Sequence, residues 1–195
     1  MEVYNMIKGI DVSHWQKLGT VEKYKPEFVI IKASEGKSYK DPLMAAHAKE
    51  AEDNGAMLGF YHYARPEINT YKEDADNFIA RVKPYIGRCI LALDWEGKAL
   101  SCSLDWALAW LKYVEQQTGV KPMFYCSISV CQYCKCIAEN GNGLWVARYN
   151  NNPGKPEGGR YTIAPWKFWA VHQYYSKPID FDIFNGSKAQ FKKYM

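Results

Sequence analysis

Two near-continuous apolar runs, Phe28–Ala33 (FVIIKA) and Ile90–Trp95 (ILALDW), set the tightest limit on how this chain can fold. A strand with one face in water alternates apolar and polar residues, whereas a strand covered on both faces need not. Such runs point to a parallel sheet with helices packed over it. Further apolar or β-rich segments occur at Ile7–Val12, Met57–Tyr63, Pro122–Ser127, Leu144–Tyr149 and Trp169–Gln173. Helical patterns lie between several of them. Pro42–Asn54 reads as a helix with Asp41 as its N-cap, Pro42 in first position and Gly55 just past its end. Asn69–Val82 follows, then Ser103–Thr118 with Ser103 as cap and Gly119 as stop, then Ser127–Glu139.

The alternation fades after residue 140, where NGNG and then NNNPGKPEGGRYTIAPW supply turn residues in place of helices. The expected fold is α/β: a single-domain, irregular, TIM-like β/α barrel over residues 1–195, with helices lost in the C-terminal part. A doubly wound open sheet is the alternative, but no glycine-rich phosphate loop follows the first strand. A chain of 195 residues can bury roughly 70% of its unfolded surface in one core. No internal repeat, linker or second domain is apparent.

Composition narrows the function classes. Lysine and arginine number 25 against 21 acidic residues, a net charge of +4, and the basic residues are scattered (Lys23, Lys25, Lys37, Lys40). That is no nucleic-acid footprint, and a mildly basic surface suits an anionic polymer or plain solvation equally well. The aromatic content of 15%, with 7 Trp and 15 Tyr, fits either a core or flat walls for stacking sugar rings. The N-terminal MEVYNMIKGIDVSHWQ has neither an apolar signal core nor a small-residue cleavage site, so synthesis in the cytoplasm is expected. No stretch of about 18 apolar residues is present to span a membrane. Without a signal, the six cysteines (Cys89, Cys102, Cys126, Cys131, Cys134, Cys136) are expected as free thiols. A disulfide or a zinc site in CQYCKC is the competing reading, though no second ligand pair accompanies that run.

Acidic residues gather where the predicted strands end: Asp11 after the first, Asp94 and Glu96 after the fourth, Asp180 and Asp182 after the last. Barrels of this class assemble their sites at that edge. Side chains two apart on a strand share a face, with backbones about 7 Å apart, so Asp94 and Glu96 reach one spot. Two carboxylates so placed tend to keep one proton between them, the condition for a general acid beside an ionised partner. Glycoside hydrolysis needs that pairing. A lone D-x-E is weak evidence, because strand ends are often wet and polar, and carboxylates also bind hard cations. Three of the four histidines (His14, His47, His62, His172) lie near strand ends, so a metal hydrolase stays open on composition alone.

Five blocks then resemble family-25 glycoside hydrolases, the Chalaropsis-type lysozymes: GIDVSHWQ (Gly9–Gln16), FVIIKASEG (Phe28–Gly36), GFYHYARP (Gly59–Pro66), LALDWEG (Leu91–Gly97) and AVHQYYSKPIDFDIFNG (Ala170–Gly186). They occur in the family's order across nearly the whole chain. The resemblance implies an irregular α/β barrel and an N-acetylmuramidase that cuts the β-1,4 bond between N-acetylmuramic acid and N-acetylglucosamine. It implies Glu96 as general acid, Asp94 as its companion carboxylate, and Asp11 and Asp180 as further acidic residues of the site. Tyr61, Tyr63, Tyr125, Gln173 and Tyr174 match groove positions, with Asp182 in support. Lys32 and Glu35 fall in a matching block without a clear role.

Each site residue has a plainer reading as well. Asp11 can hold strand-end amides, Tyr61 and Tyr63 can be core, and His14 and His62 read as hydrogen-bonded structural histidines. His172 and Gln173 point to opposite faces, and Gln173 is the one expected in the groove. Trp95 is expected to pack behind its strand. The cysteine run 131–136 lies outside the family pattern. No cofactor or metal is implied. The expected partner is bacterial peptidoglycan, with no nucleic acid and no membrane, and a monomer is expected. A cytoplasmically made wall hydrolase would reach its substrate by lysis or a holin-type route, as phage endolysins do; a secreted enzyme cloned without its signal is the alternative. A non-catalytic wall-binding module on the same scaffold is the competing function, opposed by the intact D-x-E.

Overall fold

The computed structural model describes residues 6–149 and 162–195. The strands are β1 (Ile7–Val12), β2 (Phe28–Glu35), β3 (Tyr39–Lys40), β4 (Met57–Tyr63), β5 (Cys89–Asp94), β6 (Met123–Ser127), β7 (Leu144–Ala147), β8 (Val171–Tyr175) and β9 (Asp180–Phe184). From β1 through β2, β4, β5, β6, β7 and β8 the neighbours pair in parallel, and β9 pairs antiparallel with both β8 and β1. The sheet therefore closes into a barrel, with β3 folded back as a short hairpin on β2. The expected TIM-like barrel is what the chain forms, helices thinning towards its C-terminal part.

Alternate residues of each strand divide the core in two. Ile10, Val12, Val29, Ile31, Phe60, Leu91, Leu93, Phe124 and Val146 face outward and pack with Val21, Met44, Phe78, Trp110 and Leu111 of the helices. Ile7, Phe28, Ile30, Ile90, Ala92, Met123, Trp145, Val171 and Phe184 face inward and fill the barrel. A strand buried on both faces has no polar face to show, which is why FVIIKA and ILALDW read as solid apolar runs. Glycine makes room where the filling is tightest. A Cβ on Gly9 would overlap the Phe28 ring, and one on Gly59 would lie 2.7 Å from Ile90 Cγ1. Phe191 and Tyr194, from the C-terminal turn, close the barrel against Phe28 and Phe184.

The helices are α1 (Thr20–Tyr24), α2 (Met44–Asp53), α3 (Tyr71–Val82), α4 (Leu104–Thr118), α5 (Ile128–Cys131), α6 (Lys135–Glu139) and α7 (Lys188–Phe191). Ser103 caps α4 through Asp105 N–H and Gly119 ends it in the left-handed region, as expected. Thr70 and Glu73 form a reciprocal capping box on α3. Three expectations need correction. Asp41 does not cap α2: it is fully buried, accepts from Leu43 N–H and from the backbone N–H of His14, and lets the helix begin at Met44. The single helix expected over Ser127–Glu139 is broken in two, because Tyr133 and Cys134 N–H close tight turns onto Val130 and Cys131 carbonyls. The segment DFDIF, its acids expected beyond the last strand, is itself a strand. Its alternation puts acids on the barrel side and Phe181 and Ile183 outside, the reverse of the usual polar-outward pattern. Most of the turn-rich segment from Asn150 onward lies outside the described residues.

Candidate active site

Reading each inward row from one end of the barrel to the other, apolar side chains give way to polar ones. β1 runs Ile7, Gly9, Asp11; β5 runs Ile90, Ala92, Asp94 and continues to Glu96; β8 carries Val171 then Gln173. β9 runs the opposite way, so its polar residues come first, with Asp180 paired to Asp11 and Asp182 to Gly9. Reversal of this one strand delivers the start of β9 to the edge where the parallel strands end. A cavity of ≈ 180 Å³ opens there, lined by Asp11, Asp94, Glu96, Asp180, Tyr61, Tyr125 and Gln173. Beside it, ≈ 270 Å³ of further space is bounded by Tyr63, Lys32, Trp15 and Gln16 and shares the four carboxylates.

Asp94 is 6% exposed and Asp11 7%, whereas Glu96 stands exposed on the rim. Gly97 (φ +57) turns the chain immediately after Glu96, and a Cβ there would overlap the Tyr63 hydroxyl. A polar chain organises the floor. Tyr125 Oη donates to Gln173 Oε1 at 2.8 Å and Tyr149 Oη to the same oxygen at 3.0 Å. Gln173 Nε2 in turn donates to Asp11 Oδ2 at 2.7 Å. Trp145 Nε1–H donates to Asp182 Oδ1 at 2.8 Å. On the rim Lys32 Nζ donates to Glu35 at 2.8 Å and lies 4.9 Å from the Tyr63 ring centroid, while Arg65 bonds Glu35 at 2.7 Å.

Burial dominates the electrostatics. It raises Asp94 well above the usual carboxylate range, and the Glu96 charge adds to the effect. Glu96, exposed on one side and shielded by the cavity on the other, is raised by this partial desolvation, opposed by the Lys32 ammonium and reinforced by Asp180. Asp11 is raised well above its ordinary value by burial and by Asp182 and Asp180. Asp182, fully buried, is pushed up to about 7, mainly by burial, against hydrogen bonds from Asp11 and Trp145. Asp94 Oδ1 and Asp182 Oδ2 are buried without a hydrogen-bond partner. This cluster of like-charged groups in low dielectric binds protons more tightly than ordinary carboxylates do.

Most of the sequence-predicted residues meet here: Glu96, Asp94, Asp11, Asp180, Tyr61, Tyr63, Tyr125 and Gln173 all border the cavity. Two groove assignments need correction. Tyr174 follows inward-facing Gln173, so it points out of the barrel, where its ring meets Phe181 at 6.3 Å. Asp182 is fully buried beneath Asp11, where it supports the floor without lining the cavity. Of the histidines, His172 bonds the Arg148 carbonyl at 2.9 Å, on the far face from Gln173. His62 sits buried between Ser34 Oγ (2.9 Å) and Asp74 (3.1 Å), and His14 bonds Asp41. Trp95 packs behind its strand against Trp106 and Phe124. Residue-by-residue reading missed Trp15, Trp145 and Tyr149 as cavity walls and left Lys32 without a role; Trp15 and Lys32 lie inside matched blocks and Trp145 and Tyr149 in the expected strand Leu144–Tyr149, which was the available signal. Among the described residues, no group of three or more His, Cys, Asp or Glu side chains is arranged to hold a metal ion, and no helix is long and apolar enough to cross a membrane.

Comparison with known proteins places the chain in a family. Residues 10–183 match the family described as Glycosyl hydrolases family 25. The chain is 31% identical over 212 residues to the N,O-diacetylmuramidase of Chalaropsis sp, covering 96% of this chain and 98% of that one. It resembles the structure of a family GH25 lysozyme from Aspergillus fumigatus with TM-score 0.79 and 26% identity, over 97% of this chain and 98% of that one. A bacterial lysozyme from Streptomyces coelicolor shares the fold at TM-score 0.81, with 24% identity and 95% of each chain covered.

Proposed function

The chain belongs to glycosyl hydrolases family 25 and is a lysozyme-type glycoside hydrolase of peptidoglycan; from that premise we propose that it cuts the β-1,4 bond between N-acetylmuramic acid and N-acetylglucosamine, with Glu96 as general acid and Asp94 as its companion. The observation that carries this reading is the placement of both carboxylates in one cavity at the open end of the barrel, Asp94 buried at the end of β5 and Glu96 exposed two residues beyond it.

Glu96 stands where a glycosidic oxygen can reach it, and proton donation to a leaving oxygen by a positioned acid contributes typically 10²–10⁴-fold. Asp94 lies deeper, with Oδ1 unpartnered. An acetamido N–H of a bound sugar is a donor of the right kind for that oxygen. Coupled carboxyls share a proton, and in the free protein burial favours the neutral form of Asp94 most strongly. A sugar that covers Glu96 strips its water and favours its neutral form, while an N–H aimed at Asp94 favours the carboxylate there. Substrate binding thus moves the shared proton to Glu96 and leaves Asp94 ionised, next to the positive charge that develops on the sugar. Asp11, Asp180 and Gln173 hold the sugar ring from the β1, β9 and β8 side, Tyr125 stands beside Asp94 on the neighbouring strand, and Tyr61 and Tyr63 supply flat apolar faces. The enzyme acts at the bacterial cell wall.

The test is to digest purified peptidoglycan, reduce the new ends with borohydride and identify the sugar alcohol, with Glu96→Gln alongside. Muramitol from the wild type, and its loss in the variant, is the expected result. Glucosaminitol would overturn the bond assignment, and equal activity in Glu96→Gln would remove Glu96 as the acid.

A further inference from the structure

Three thiols take no part in the proposed hydrolysis, yet their sulfurs converge. Cys126 lies on β6 and points outward, on the opposite face from Tyr125. Its Sγ is 3.8 Å from Cys131 Sγ, at the end of the single-turn helix α5. Cys134, at the break between α5 and α6, is also within hydrogen-bonding reach of Cys126 and donates to the Val130 carbonyl at 3.4 Å. All three are buried, none more than 1% exposed. They do not form a metal-binding group. The other thiols are differently placed: Cys89 is buried alone, with its thiol pushed up to about 12 by burial, and Cys102 and Cys136 are half-buried.

We propose that Cys126 and Cys131 form a site of reversible disulfide formation that takes a small organic disulfide, such as oxidised glutathione, as its oxidant. The two sulfurs already face each other, and a bond requires them to close from 3.8 Å to about 2.05 Å. Cys126 cannot supply the movement, because β6 is hydrogen-bonded on both edges within the barrel. Cys131 can, because α5 has four residues and is flanked by exposed Ser127, Gln132 and Tyr133. Opening of that turn is also how a buried sulfur meets its oxidant. The thiols differ in the sense the reaction needs: the hydrogen bond from Cys126 lowers Cys131, and the bonds to Cys131 and Cys134 raise Cys126. Cys131 is therefore the attacking thiolate.

The exchange balances in two steps. Cys131 Sγ⁻ attacks one sulfur of the oxidant; the S–S bond breaks and the first glutathione thiolate leaves, taking up the proton Cys131 lost. Cys126, deprotonated as it attacks, displaces the second glutathione from Cys131, and that thiolate takes the Cys126 proton. Two protein thiols are oxidised and one glutathione disulfide is reduced to two thiols. The product ties α5 to the strand that carries Tyr125.

The experiment treats the folded protein with oxidised glutathione, alkylates the remaining thiols and cleaves after Tyr125 and Tyr133. That digestion puts Cys126 and Cys131 in one peptide, Cys126–Tyr133, and Cys134 in the next. The expected result is a Cys126–Tyr133 peptide lighter by two hydrogens, with both alkylation sites lost, and both restored by dithiothreitol. Cys131→Ser should restore alkylation at Cys126, and Cys136→Ser should change nothing. A crosslink between the two peptides (Cys131 to Cys134), glutathione adducts confined to Cys102 and Cys136, or full alkylation of Cys126 and Cys131 after oxidant would each overturn the proposal. The mapping is done on the wild-type protein, so the outcome does not depend on how a variant folds.

Discussion

Gln173 Nε2 donates to Asp11 Oδ2 at 2.7 Å, a hydrogen bond between residues 162 apart in sequence. The same amide accepts at its oxygen from Tyr125 and Tyr149. One neutral side chain thereby aligns three site residues from β1, β6 and the segment just past β7. A carboxylate in that position would add another charge to a cluster already crowded with them, and an aliphatic residue would satisfy none of the three partners.

Gln173→Leu should therefore weaken both fold and function. It takes this partner from the buried Asp11 and Tyr125, at about 1–3 kcal/mol for each group that water cannot reach, while the exposed Tyr149 hydroxyl can turn to water. Urea unfolding should show a lower midpoint with an unchanged slope, and peptidoglycan turnover should fall at least tenfold. An unchanged midpoint would mean that water replaces the amide and the chain is not organising the floor.

Lys32 tunes the acidic pair. Its ammonium favours the ionised forms of both Asp94 and Glu96. Removing the charge in Lys32→Met raises both further, so the pair keeps its proton to higher pH. Activity that needs that proton is lost as pH rises through the raised values. The alkaline limb of the rate profile should consequently move to higher pH in the variant, whereas a shift to lower pH would show that Lys32 acts by another route.

Asp182 makes stability depend on pH. Its carboxyl moves from an ordinary 3.8 to about 7 in the fold, chiefly through burial. A raised folded value means that its favourable contribution is complete below 3.8 and is lost as pH rises through about 7. His62 and His172, lowered by burial, work in the opposite sense below their ordinary 6.5, so the whole-protein slope mixes the two. The difference between Asp182→Asn and wild type isolates the aspartate. The amide can still accept from Trp145, and the variant should gain stability relative to wild type as pH rises from 4 towards 7. Parallel unfolding curves across that range would falsify the assignment.

Gly97 is constrained twice, by φ +57 and by the Tyr63 hydroxyl where a Cβ would be. Gly97→Ala should cost about 1–2 kcal/mol for the left-handed backbone alone and displace Glu96 from the rim. Thermal unfolding and turnover measured together distinguish this from a simple loss of stability: activity should drop several-fold at temperatures where the variant remains folded.

Much of this molecule follows from local sequence. Apolar runs covered on both faces dictate parallel strands, Ser103 and Gly119 bound α4, and the two-residue spacing of Asp94 and Glu96 puts both on one side of the extended backbone that continues past β5. These features depend on neighbours a few residues apart, so periodicity and capping chemistry are enough to find them. The tertiary structure decided the rest. DFDIF became a strand with its acids inward because β9 reverses direction and closes the barrel against β1 and β8, which turns a polar face towards the interior. Asp41 became a partner of His14 instead of a cap, and Tyr174 left the groove, because each outcome depends on which distant strand or loop lies opposite. Above all, the raised carboxyls of the site exist only once residues from both ends of the chain share one dry volume. Burial is a property of that assembled volume and not of any segment within it.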